Sequence, residues 1–412
     1  MTIMKWKEHH MRKTLATILT ATAVIAAACG GGTSSPAATS AAAATTAAPK
    51  PAIKLGALLP LTGPSGATGL DMKDGYELAK AQINAAGGVN GALIDVIYED
   101  DKNDPATAVA SFEKLANNDK VEVMLGGLAS TISAALIEPA KKAAIPMAWT
   151  GAAATAVEKG FVDQPFFFHY HPWEYQNATS ALAFLKSTPY KTFAVVYEDG
   201  LFGTGAADGF KTTLPAQGQT IAITEAFKTG STDFTALLNR VKASNAEGLI
   251  LVPFAGDVIP FLTQMREVGY KPKLVYASPP SFPANFGASP VAEGVAGLTL
   301  WTEDIPAPAS KKFVADFKAK YNHSPVSYWS ALAFTNLVTA VDALKKSGPG
   351  NKAAWITAME ATSYASPVGP TLKFTPSQFI KHQGFTSLVS FQWQSGKQQI
   401  VFPADLSTAP LK

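Results

Sequence analysis

The chain has 412 residues, 47% of them hydrophobic and 16% charged, with a formal net charge of +3. Lys5, Lys7, Arg12 and Lys13 against Glu8 place all of that excess before residue 29, so the remainder is neutral and offers no charged face to phosphate backbones or anionic lipid. Cys29 is the only cysteine, which excludes an internal disulfide and leaves stability to a large core.

The first element is a basic start, Met11-Arg12-Lys13, followed by an apolar run over residues 14–25 and by Ala26-Ala27-Ala28. This is the pattern of a secretory signal, and the run is too short to span a bilayer. With Cys29 next, it resembles the lipobox of bacterial lipoproteins, although Ala26 stands where leucine is usual. The resemblance implies a signal peptide over residues 1–28 and export. Cys29 would be acylated and become the first of 384 mature residues (412 less 28), held on the membrane through lipid alone. An ordinary thiol near a cleaved signal or an N-terminal anchor helix is the alternative, and both Met1 and Met11 fit as the start. Residues 30–51 are Gly, Ser, Thr, Ala and Pro with one charge, Lys50. They read as a flexible tether that, with Cys29, precedes the folded body and reaches roughly 25 Å on average.

From residue 53 short apolar runs alternate with helical stretches. Strands are predicted at 53–59, 94–98, 121–125 and 146–149, with helices at 104–118 and 130–143; Asp104-Pro105 supplies an N-cap and a proline at the first helical position. Gly87-Gly88 and Asn90-Gly91 end a helix and turn into the next strand. The order then restarts, with strands at 193–197, 220–223, 248–252 and 274–276 and helices near 205–215, 232–244 and 257–268. Helices follow at 311–321 and 328–346, then a β stretch at 388–393. A restarted βαβα order predicts an α/β fold of two doubly wound parallel-sheet lobes.

Four segments carry a further resemblance: Pro60-Leu61-Thr62-Gly63-Pro64, residues 83–91, Tyr98-Glu99-Asp100-Asp101 and residues 232–238. In this order and spacing they resemble the branched-chain amino-acid (Leu/Ile/Val) binding proteins, the type I periplasmic substrate-binding lipoproteins of ABC importers. The resemblance runs from about residue 53 to the end. It implies a monomer with a three-strand hinge, crossing near 169, 300 and 389. Lobe I would comprise 52–169 and 301–387, and lobe II 170–300 and 388–412. It also implies a small carboxylate ligand trapped between closing lobes, delivery to permease and ATPase subunits, and no cofactor or catalysis. Ser130 falls where the family binds a ligand carboxylate, next to Ala129, at the start of a helix whose free N–H groups favour an anion. Thr150, Gly151, Ala152 and Thr155 fall in the segment that supplies backbone and threonine contacts, with Ala153 competing with Thr155 for the threonine position.

The departures bear on the ligand. Phe202 and Phe254 replace the family's tyrosines, Ala277-Ser278-Pro279-Pro280 replaces the acid that pairs with a ligand ammonium, and Asn103 and Ala129 stand at both positions of the family's disulfide. A buried ammonium without an anion is costly, so an amino acid is disfavoured unless Glu174, Glu198, Asp199 or Asp257 substitutes. The cleft is expected to be apolar and aromatic, from Trp149, Trp173, Phe202, Phe254 and Trp329, with Ser278 beside them. Core packing is the competing role for each ring.

Two further patterns suggest enzymes. His169-Tyr170-His171, read as strand, sets both imidazoles on one face near Glu174, which suits either a metal or a hinge hydrogen bond. Gly203-Thr204-Gly205, with Glu225 about twenty residues on, imitates a dinucleotide fingerprint but has its third glycine, Gly209, one residue late. A secreted α/β enzyme and a ligand sensor without transport are the remaining alternatives.

Overall fold

The computed structural model describes residues 50–278 and 282–412, so the signal, Cys29, most of the tether, Pro279 and Pro280 lie outside the described residues. β1 (Ile53–Leu59), β2 (Ile94–Asp100), β3 (Met124–Gly126), β4 (Met147–Trp149) and β5 (Phe167–His169) form an all-parallel sheet in the order β2-β1-β3-β4-β5. β6 (Thr192–Glu198), β7 (Thr220–Phe227), β8 (Gly248–Val252), β9 (Leu274–Ala277) and β10 (Ala296–Thr299) begin a second sheet. After a short pair, β11 (Tyr364–Ala365) and β12 (Thr371–Leu372), the chain returns to it with β13 (Val389–Gln394) and β14 (Lys397–Phe402). The order is β14-β13-β10-β9-β8-β6-β7, with β13 and β14 antiparallel.

The central strands are apolar throughout because helices cover both faces; β8 is buried at every residue. On the first sheet, helices Gly66–Ala85 and Tyr328–Ser347 bury one face, and Pro105–Glu113, Ser130–Ala135 and Thr155–Gly160 the other. Thr235–Ala243 and Ala255–Glu267 cover one face of the second sheet, and Glu174–Ser187 and Leu201–Ala216 the opposite one. The expected two doubly wound sheets are therefore present.

Several boundaries differ from expectation. The helix expected over 130–143 is two, Ser130–Ala135 and Ile137–Ala143. Pro139 is the reason, since it has no N–H and its ring crowds the carbonyl four residues back, at Ala135. The expected strand over 169–171 stops at His169. Helix Glu174–Ser187 and strand β14 are additional.

Two packing features position the site. Helices Gly66–Ala85 and Tyr328–Ser347 touch at Gly75, where a Cβ would fall 2.1 Å from the Ser330 carbonyl oxygen. Four residues earlier, Asp71 accepts hydrogen bonds from Val326 N (3.2 Å), Ser327 Oγ (2.6 Å) and Ser330 N (3.3 Å), which ties the start of the second helix to the first. Where the chain leaves β5, Tyr170 and His169 run beside a returning segment: His169 N donates to His382 O (2.9 Å) and Gly384 N to His169 O (2.8 Å).

Candidate functional site

Ligands of open parallel sheets bind beyond the carboxyl ends of the strands, and here the two sheets turn those ends toward one cavity. Leu128 and Ala129 reach it after β3 and Ala152 and Ala153 after β4; Phe202, Phe254 and Ser278 reach it after β6, β8 and β9. Tyr328 and Trp329 enter from the first turn of their helix, with His171, Asn177, Leu298 and Leu388 completing the wall. Its volume is ≈ 30 Å³, room for about two waters. The walls are close because the two halves touch. Leu201 N donates to Thr131 Oγ1 (3.3 Å), and Pro64 lies against Gly256, where a Cβ would be 3.2 Å from the proline carbonyl.

Of the residues expected at the site, Ala129, Ala152, Phe202, Phe254, Ser278 and Trp329 line this cavity. The Phe202 and Phe254 rings meet at 5.8 Å. Ser130 lies just behind the wall, where its Oγ accepts from Ala153 N (3.1 Å) and Ala154 N (3.2 Å) and shapes the loop after β4. Thr150 is committed to the backbone of the neighbouring loop, donating toward Gly126 O (2.8 Å) and Gly127 O (3.1 Å). The Gly151 carbonyl faces His169 Nε2 (2.8 Å), and Thr155 begins a helix beside the site, so of the two competing positions Ala153 is the one on the wall.

Trp149 and Trp173 do not line the cavity, contrary to expectation. Trp149 points into the core, donates from Nε1 to Ser133 Oγ (3.0 Å), and lies so close to Gly127 that a Cβ there would fall 2.0 Å from its ring. Trp173 stacks on His169 at 3.7 Å, fully buried.

The two histidines act as structural hydrogen-bond partners. His171 Nδ1–H donates to Pro172 O (2.7 Å), which leaves Nε2 to accept from the Tyr328 hydroxyl (3.0 Å), and its ring stacks on Trp329 at 5.1 Å. Burial pushes His169 down to about 4 and His171 to about 3, the latter helped by the neighbouring His169, so both are neutral at pH 7. Among the described residues no group of three or more His, Cys, Asp or Glu is arranged to hold a metal.

The four acids differ in what they already do. Glu198 accepts from Gly200 N (2.7 Å), Gly203 N (2.6 Å) and Thr229 Oγ1 (2.9 Å); Asp257 accepts from Gly230 N (3.0 Å) and Phe254 N (3.3 Å). Asp199 is exposed. Glu174 alone of the four has a buried carboxylate oxygen, Oε2, with no hydrogen-bond partner among the described residues. The glycines that imitated a dinucleotide fingerprint serve close approach instead: a Cβ at Gly203 would meet the Glu198 carbonyl at 2.0 Å, and Glu225 is paired with Arg240 at 2.7 Å.

A family profile described as periplasmic binding protein matches residues 52–398. The chain is a periplasmic binding protein. Its curated relatives include Leu/Ile/Val-binding protein homolog 7 of Brucella abortus (strain 2308), 25% identical over 375 residues that cover 87% of this chain and 93% of the relative. Among solved structures, a solute-binding protein of an ABC transporter from R. palustris in complex with benzoate superposes with a TM-score of 0.77 at 19% identity, covering 85% of this chain and 95% of that one. The branched-chain amino acid transporter substrate-binding protein LivJ from Streptococcus pneumoniae, in complex with isoleucine, gives 0.73 at 21% identity over 84% and 97%. The resemblance read from four short segments is thus borne out, and with it the two-lobed α/β fold. Membership of this family implies an extracytoplasmic location. No helix of the described residues is long and apolar enough to cross a membrane.

Sequence reasoning missed Tyr328, Asn177, Leu128, Leu298 and Leu388 as cavity walls. Only Tyr328 carried a usable signal, a second aromatic in the helix turn that holds Trp329.

Proposed function

We propose that this periplasmic binding protein captures a small organic acid, aromatic or branched, and delivers it to the permease and ATPase of an ABC importer. The observation that carries the reading is the wall itself. Phe202, Phe254, Tyr328 and Trp329 offer apolar faces, Glu198 and Asp257 are already spent on backbone N–H groups and so are poor partners for a ligand ammonium, and Glu174 lines a chamber behind Phe202 and not this wall. The relatives that hold benzoate and isoleucine bracket the chemistry. Lobe I, 52–169 with 301–387, and lobe II, 170–300 with 388–412, would rotate about the paired strands near His169 to admit the acid, in an open-to-closed equilibrium that the ligand shifts. The protein would act as a non-enzymatic monomer, exported by residues 1–28 and anchored through Cys29. A sensor that reports the same ligand without transport is the alternative, and neighbouring genes for a permease and an ATPase would favour the importer.

Thermal melts with benzoate, branched acids, leucine and isoleucine test the ligand class, because a compound at a hundredfold over its Kd stabilises by roughly 2.7 kcal/mol. The acids should raise the melting temperature more than leucine does; a response to leucine alone would overturn the reading. Ser130→Ala should weaken acid binding by about 1–3 kcal/mol, since its hydroxyl proton is available to a ligand carboxylate while its oxygen holds the loop after β4. Unchanged affinity in calorimetry would remove Ser130 from the site.

A further inference from the structure

Behind Phe202 lies a second chamber of ≈ 30 Å³, formed wholly by residues between 174 and 298. It shares Asn177, Phe202, Ser278 and Leu298 with the first cavity. Its own walls are Ala178, Ala206, Phe210 and Val252, with Glu174 as the one ionisable group. Two polar atoms there are shielded from water and lack a hydrogen-bond partner among the described residues, Glu174 Oε2 and Asn177 Oδ1. They stand one helical turn apart on Glu174–Ser187, the spacing that sets side chains on a common face. Native interiors rarely leave such acceptors unmatched, and an unmatched carboxylate oxygen among apolar groups is the costlier kind.

The helix that closes over this chamber makes room for the carboxylate. A Cβ at residue 205 would fall 1.9 Å from Glu174 Oε2, so glycine in the middle of Leu201–Ala216 keeps that space open despite its cost to a helix interior. Both acceptors are carried by a helix of the second sheet, whose first residue is tied to the loop after β4 by Glu174 N donating to Ala153 O (2.6 Å), while Ala129 and that loop belong to the first sheet. The two cavities therefore offer opposite chemistry, backbone and hydroxyl donors on one side and bare acceptors on the other.

We propose that the chamber is a subsite for a hydrogen-bond donor at the far end of the bound acid, a phenol hydroxyl or a primary ammonium, received by Glu174 Oε2 and Asn177 Oδ1. This rests on the capture of an organic acid proposed above. The ligand is then bifunctional: its carboxylate meets the first-sheet loops, its ring or chain passes Phe202, and its donor reaches Glu174. A second carboxylate at the far end would be repelled.

Calorimetry of the purified protein with benzoate, 4-hydroxybenzoate and terephthalate tests the proposal. In the unaltered chain 4-hydroxybenzoate should bind at least tenfold more tightly than benzoate, as expected when a site built to hydrogen-bond a hydroxyl meets a ligand lacking it, and terephthalate should not bind. In Glu174→Gln the preference should fall below threefold. Asn177→Leu serves as a second variant, with the same fall expected, should the first not fold. Equal affinities for the two monoacids, or a preference that survives both substitutions, overturns the subsite and leaves acid capture standing. Failure of both monoacids to bind the unaltered chain at all overturns both readings.

Discussion

Replacing Gly75 with valine should destabilise the protein by about 3–4 kcal/mol, lowering its melting temperature by about 5 °C. The space a side chain needs there is occupied by backbone, the Ser330 carbonyl at 2.1 Å, which cannot rotate aside as a flexible side chain would. The wedge acts where Asp71 binds Val326 N, Ser327 Oγ and Ser330 N, so separating the helices also strips partners from a buried carboxylate. Trp329 precedes Ser330 on the same turn and forms part of the cavity wall, so ligand affinity should fall with stability. Gly75→Ala should lie between the two. A melting temperature within a degree of the unaltered protein's would show that the helices part more easily than their packing suggests.

Acid should expose a second liability, at His171. Its folded value of about 3 lies below the ordinary value near 6.5, so between those limits the unfolded chain binds more protons. The stabilisation is complete above pH 6.5 and is lost as pH falls toward 3, amounting to about 3 kcal/mol between pH 7 and 4. Asp71 and Asp101 work in the opposite sense. Burial pushes both up to about 6, so each costs stability above that value and returns it as pH falls through 6 toward 4. His169, held at about 4, loses stability in the same sense and to a similar extent as His171. The two histidines and the two acids therefore nearly offset, and the native protein should change little across this range. His171→Phe separates them. It keeps the stack on Trp329 but deprives the Tyr328 hydroxyl of its acceptor, so it should be less stable at pH 7 and close the gap by about 3 kcal/mol at pH 4. Parallel melting curves for the two proteins at both pH values would show that His171 does not carry this term.

The buried parallel strands were legible because both their faces are covered, which leaves uninterrupted apolar runs such as Gly248–Val252. The helix over Glu174–Ser187 was not, because Thr, Ser and Asn in its first half weaken the pattern. Within the site, Phe202 and Phe254 could be placed because each follows a strand on the side where such sheets bind ligands. Trp149 shows the limit of that reasoning. Its position at a strand end was right, but successive strand residues face opposite ways, and its ring goes into the core against Ser133. Tyr328 and Asn177 are about 150 residues apart in sequence, and only the folded chain brings them to one wall.

The return of β13 to β10 has a consequence for how the chain is made. The side of β10 away from β9 is covered by residues 389–394, about 90 residues further along the chain, and Phe391 and Trp393 from that strand pack on Phe282 and Phe286. Two of the helices that cover the first sheet, Pro308–Tyr321 and Tyr328–Ser347, follow the strands of the second in sequence. Neither half can finish its interior until chain from beyond the other half's first strands has been made, and the contacts that complete them span long stretches of sequence, which slows folding. A copy ending before Val389 should expose the open edge of β10 and aggregate.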